Sequence, residues 1–205
     1  MLQLDHIVVS AETLEEGREY VEGGLGVPVQ PGGKHVLFGT HNMLLGLDNG
    51  IYLEIIAIDP DAPDPGRARM FDLGRFDGAP RLTNWVCRSD ALETDMARAF
   101  GPDLAPLALQ RGDLSWRMGM PGDGTLPFAN LFPAMIDWGQ GPMAADRLAP
   151  SGCRLKELVI GHPDSAGFSV ALQGLLSEGR VRIEPSEVPE MTAILETPNG
   201  EVALR

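Results

Sequence analysis

Leu4-Asp5-His6-Ile7-Val8-Val9 alternates its side chains between two faces, as an extended backbone requires, so Leu4, His6 and Val8 share one side of a predicted strand. Ser10 then offers a helix-start signal. Leu14, Val21 and Leu25 recur at helical spacing, and Gly24-Leu25-Gly26 ends the stripe. Extended segments are predicted at 27–36, 41–47 and 51–58, with Gly32-Gly33 and Asp48-Asn49-Gly50 as turns.

The same order returns twice. Leu82 to Cys87 reads as a strand, Asp90-Ala91-Leu92-Glu93 as a capping box, and Leu92, Met96 and Phe100 as one helical face, followed by extended segments at 107–110, 114–120 and 128–138. Leu155 to Ile160 begins the third pass, with Asp164 before a helix bearing Phe168, Leu172 and Leu175, then segments at 181–184, 193–197 and 202–204. The pattern predicts an α+β chain of βαβββ units, at about 1–59 and 80–138, with a third, shorter unit over 153–205 that packs on the first two or serves a homodimer. Proline- and acid-rich residues 59–66 and Gly-, Pro- and Ala-rich residues 139–152 form the joins.

Composition narrows the class. At 205 residues, 43% hydrophobic and 22% charged, the chain can bury a core, and no apolar run reaches the roughly 18 residues that span a bilayer. The formal charge of −13 argues against nucleic-acid and membrane partners, because it repels phosphates and anionic lipid. Cys87 and Cys153 make no disulfide framework, so a cytoplasmic protein is expected.

Candidate chemistry lies on the repeated strands. Tyr52, Glu54 and Ile56 share a face, and a carboxylate among apolar neighbours needs a cation or donors, for which His6 is the partner, directly or through a shared metal ion. Aligning Met135-Ile136-Asp137 with Tyr52-Leu53-Glu54 makes Asn84 and Asp137 the corresponding pair in the second unit, and Glu157 with Glu196 the pair in the third. His6, Glu54 and Asp137 are therefore candidate ligands for Zn²⁺, Mn²⁺, Fe²⁺ or Ni²⁺, with Glu54 or Asp137 as candidate proton carriers; a metal-free hydrogen-bonded pocket is the equal alternative. Candidate substrate contacts are His35, Thr40 and Asn42 in the glycine-rich run at 32–42, Asn84, and Trp116-Arg117 as an aromatic wall and anion fork.

Leu4-Asp5-His6-Ile7-Val8-Val9, the Gly-Gly-x-His-x-x-x-Gly-Thr-x-Asn run at 32–42 and Tyr52-Leu53-Glu54 together resemble the glyoxalase-like domain of the vicinal oxygen chelate superfamily over about residues 1–140. The resemblance implies paired βαβββ units whose curved sheets enclose a pocket, with metal ligands on the first and fourth strands of each unit. The matching positions are His6, Glu54, Asn84 and Asp137, and a histidine is expected where Asn84 stands. It implies a small-molecule enzyme in which a divalent ion polarises vicinal oxygens, or a metal-free protein that sequesters a small ligand.

Overall fold

Strand pairing merges the first two units into one curved, nearly closed sheet. The computed structural model describes all residues, 1–205. The first unit comprises β1 (Gln3–Ser10), α1 (Leu14–Leu25), β2 (Gln30–His35), β3 (Thr40–Leu47) and β4 (Ile51–Ile58); the second comprises β5 (Arg81–Arg88), α2 (Leu92–Phe100), β6 (Leu107–Arg111), β7 (Leu114–Gly119) and β8 (Ala134–Asp137). Their eight strands run in the order β2-β3-β4-β1-β5-β8-β7-β6. The two units meet where β1 pairs antiparallel with β5, and each unit's first strand pairs parallel with its last.

Alternation along β1 and β4 sorts the two faces. Ile7, Val9, Leu53 and Ile55 are fully buried on the helix side, where a Cβ on Gly17 of α1 would lie 2.4 Å from Ile55, so only glycine lets the helix sit this close. His6, Val8, Tyr52 and Glu54 face the concave interior. Thr13 and Glu16 form the capping box of α1, in place of the expected Ser10, and Gly26 ends the helix at φ 69°. At α2 the expected box at Asp90–Glu93 does not form; Ser89 Oγ accepts from Ala91 N and donates to Asp95.

The third segment keeps the element order but not the pairing: β9 (Arg154–His162), α3 (Ser165–Leu172), β10 (Val181–Pro185), β11 (Glu190–Thr197) and β12 (Gly200–Leu204) form a separate sheet ordered β10-β9-β11-β12. It packs on the first two units. Backbone bonds tie Leu2 to Leu175 and Ser177, and Phe168 stacks on Phe128 at 4.4 Å. Glu157 pairs with Arg182 and Glu196 with Arg154 at the surface of this sheet, away from any shared site.

The largest departure from the predicted elements is at 128–138. Only Ala134–Asp137 is strand; Phe128, Ala129 and Asn130 have left-handed backbones at φ 55°, 54° and 71°, which no strand tolerates. Asn84 Nδ2 and Trp85 Nε1 donate to the carbonyls of Asn130 and Leu131, and Asn130 Nδ2 donates to Phe71, so this loop is pinned against β5. No helix is long and apolar enough to cross a membrane.

Candidate functional site

A bulge in β1 builds the first part of the site. Leu4 opposes Cys87 and His6 opposes Val86, leaving Asp5 as an extra residue, and the local kink brings its carboxylate beside the next side chain. His6 Nδ1 lies 2.7 Å from Asp5 Oδ1, while His6 Nε2 lies 3.4 Å from Glu54 Oε2. Tyr52 stacks on the imidazole with ring centroids 4.4 Å apart. Asp5 also accepts from Trp138 Nε1 at 3.0 Å and lies 3.5 Å from Arg88 Nε. Burial works against the His6 charge, but bonds to the two carboxylates outweigh it and raise its pKa to about 9. Burial likewise opposes ionisation of Glu54, yet His6 and Asn42 hold its carboxyl down to about 2. The pair is therefore an imidazolium and a carboxylate at neutral pH.

The second part comes from the glycine-rich run and from β6. Asn42 Nδ2 donates to Glu54 Oε1 at 2.6 Å, and its Oδ1 accepts from Gly33 N at 2.8 Å and Arg111 Nη1 at 2.9 Å. These donors and acceptors leave the amide one orientation. His35 Nε2 faces Asn42 Nδ2 and Arg111 Nη1, each at 3.4 Å, and Nδ1 lies 3.1 Å from Thr40 Oγ1, an arrangement that suits a neutral ring protonated on Nδ1. Burial, with Arg111 nearby, drives its pKa down to about 4. Gly32 and Gly33 admit side chains of the protein itself: a Cβ on Gly32 would lie 2.0 Å from Asn42 Oδ1, and one on Gly33 would lie 2.6 Å from Arg111 Cδ.

The titrations of this cluster oppose one another, and the sign of each is fixed by its shift. His6 contributes stability that is complete below the ordinary histidine value of 6.5 and lost as pH rises towards 9. His35 stays neutral when folded, so its contribution is present above 6.5 and lost as pH falls towards 4; that of Glu54 is present above 4.5 and lost towards 2. Urea midpoints are expected to peak near pH 6.5 and fall on both sides, and His35→Gln should flatten the acid limb alone. Midpoints that do not change between pH 6.5 and 9 would contradict the His6 assignment.

The expected site residues divide. His6, His35, Asn42, Glu54 and Trp116 line one cavity, and Thr40 stands behind His35. Asp137 does not join them. It faces α2, where Arg117 Nε lies 3.1 Å from its Oδ2 and Arg117 also pairs with Glu93. This removes both Asp137 and Arg117 from the cavity; their ion pair, with Arg117 directly opposite Asp137 in β7–β8 pairing, is sufficient reason for both. Asn84 lies on the concave face, but its amide is tied to Asn130 and its buried Oδ1 has no partner.

Strand register gives the true counterpart of Glu54. Val8 pairs with Glu54, and Val86, the matching residue of β5, pairs with Ala134. The four positions that the family resemblance implies as ligands thus hold, by strand register, His6, Glu54, Asn84 and Ala134. Both nitrogens of His6 are committed to carboxylates, Ala134 offers no donor, and no group of three or more His, Cys, Asp or Glu side chains is arranged to hold a metal. The donor set does not fit a divalent ion, which needs at least three good ligands here.

Tyr52, expected on the face of Glu54, also lines the cavity, and residues that the sequence expectation did not assign to it complete the wall: Arg111, Trp138, Ile136, Met118, Met70 and Phe71. Asp5 was hidden by strict alternation, which sends it to the other face, and Arg111 by closure of the sheet, which no local pattern reports. The space between these side chains is only about 30 Å³, room for a water or two. Phe71, at φ 60° in the 3-10 segment Met70–Arg75, separates it from an open groove of about 560 Å³.

Residues 4–176 match the model of a glyoxalase-like domain. No curated protein matches the chain. A hypothetical protein from Staphylococcus aureus of known structure is 16% identical and covers 93% of this chain and 88% of its own, with a TM-score of 0.64. Methylmalonyl-CoA epimerase from Streptomyces coelicolor, in complex with 2-nitronate-propionyl-CoA, is 14% identical over 69% of this chain and 97% of its own, at 0.45. The Mycobacterium tuberculosis epimerase is 15% identical over 66% and 87%, at 0.44. The staphylococcal likeness shows the fold; the epimerases, at this overlap, say nothing about chemistry in this chain.

Proposed function

The chain belongs to the glyoxalase-like domain family of the vicinal oxygen chelate superfamily, and we propose that it holds a small organic molecule in the His6–Glu54–Arg111 cavity without a divalent ion. The observation that carries this reading is Ala134 in the place that corresponds to Glu54. Asn84 is tied to Asn130 and both nitrogens of His6 face carboxylates, which leaves Glu54 and the Asn84 carbonyl oxygen as the only other oxygen donors among these four positions. Aromatic walls and a few convergent polar groups are what a small-molecule site requires. Adding Mn²⁺, Zn²⁺, Fe²⁺ or Ni²⁺ to chelator-treated protein is expected to leave the melting temperature unchanged. A stabilisation by one bound ion that His6→Gln abolishes would overturn the reading.

Catalysis is the second reading, resting on neutral His35, whose Nε2 faces the Asn42 and Arg111 donors at 3.4 Å and is free to take a proton only once a bound ligand draws those donors away. A bound carbonyl compound would lose an α-proton to Nε2, with the electron pair moving onto the carbonyl oxygen and Arg111 donating to the resulting enolate. Incubating the protein with pyruvate in heavy water tests this; methyl deuteration that His35→Gln removes supports it, and exchange at the buffer rate contradicts it.

A further inference from the structure

Arg111 is the one arginine that lines the cavity, and no carboxylate pairs with it. Its contacts are to neutral groups, Asn42 Oδ1 and His35 Nε2, both through Nη1. A guanidinium carries five N–H donors in a flat fork that suits a carboxylate. A guanidinium without a carboxylate partner therefore stands beside Trp116, whose ring centre is 5.9 Å away, in a chain whose net charge is −13.

We propose that the cavity accepts a small organic monoanion, a carboxylate with an apolar or aromatic body, with its charged end on Arg111 and its body against the rings of Trp116, Trp138 and Phe71. This rests on the metal-free pocket reading and adds the class of ligand. A cation would meet the unpaired guanidinium, and a dianion would leave one charge without a partner, since no second arginine or lysine lines the cavity. The space of about 30 Å³ admits no such body as it stands, so Phe71 must yield. Phe71 and Asp72 have left-handed backbones, at φ 60° and 57°, which cost free energy to hold. Phe71 also walls the groove of about 560 Å³, so its displacement opens the cavity into a space large enough for the body.

The three tryptophans supply the readout. Trp116 and Trp138 line the cavity, whereas Trp85 is buried outside it with its indole on Leu131 and reports whether the chain is folded. Indole ¹⁵N–¹H spectra of the full chain are to be followed during titration with benzoate, phenylacetate and hexanoate, and with benzamide, phenylacetamide and hexanamide. The carboxylates are expected to move the Trp116 and Trp138 signals at concentrations about tenfold or more below those needed for the amides, since a charge-assisted bond outweighs a neutral one. Arg111→Gln should erase that preference and Arg111→Lys should keep part of it, with the Trp85 signal of each ligand-free variant at its unsubstituted position as evidence of folding.

Amides that bind as well as the carboxylates would overturn the anion assignment and leave the pocket reading intact. A carboxylate preference that survives in Arg111→Gln would overturn the role of Arg111. Silence of Trp116 and Trp138 towards both classes would overturn the inference and the pocket reading together.

Discussion

His6→Ala is expected to destabilise the folded chain by about 3–5 kcal/mol, the usual consequence of removing one partner from a buried charged cluster. The imidazolium lies between Asp5 and Glu54, and all three side chains are at most 5% exposed. Without it, two carboxylates face one another's field with Arg88 near only the first of them. The stacking of Tyr52 is lost as well. Against a typical total stability of about 5–15 kcal/mol, this places the variant near the limit of folding. Adding Glu54→Gln to His6→Ala should recover part of the loss, because it removes the stranded charge while an amide can still accept from Asn42. Urea denaturation of the single and double variants decides the matter. A loss below about 1 kcal/mol for His6→Ala would mean the cluster is solvated like a surface ion pair.

Gly32→Ala and Gly33→Ala should differ although the residues are neighbours. At position 32 the new methyl would lie 2.7 Å from the Asn42 backbone oxygen as well as 2.0 Å from Oδ1, so relief requires moving β3. The expected loss is about 1–3 kcal/mol, as for overpacking elsewhere. Asn42 would also turn away, freeing Glu54 Oε1 and removing the acceptor that positions Arg111. At position 33 the obstacle is Arg111 Cδ, part of a flexible side chain, which can give way. Gly33→Ala should therefore cost little stability but weaken carboxylate binding. Thermal melts alongside the indole titration check both; equal destabilisation by the two changes would contradict this account.

Much of the architecture was legible because its determinants are local. Alternation in Leu4–Val9 and Ile51–Ile58, the helical stripe of Leu14, Val21 and Leu25, and the turn at Asp48–Gly50 all report elements that the structure contains. His6 and Glu54 were readable as partners because strand parity puts both on the concave face. Asp137 was misplaced because a three-residue likeness to Tyr52-Leu53-Glu54 is weaker than the strand register, which sets Ala134 in that position and turns Asp137 towards α2. The run Phe128–Phe132 looks apolar and extended, yet its left-handed turn depends on bonds from Asn84, Trp85 and Asn130 that join distant segments. Arg111 sits at the end of a short edge strand. Its role arises only when β6 approaches β2 and the guanidinium crosses to Asn42, a contact between residues far apart in the chain.

The nitrogen spectrum of the His6 ring separates a doubly protonated, metal-free imidazole from a metal ligand. In ¹⁵N-histidine protein at pH 7.5, before and after one equivalent of Zn²⁺, both ring nitrogens of His6 should carry protons, as a pKa of about 9 requires, and neither should respond to the metal. Loss of the Nε2 proton, with a shift to a metal-bound position that depends on Glu54, would contradict the metal-free site.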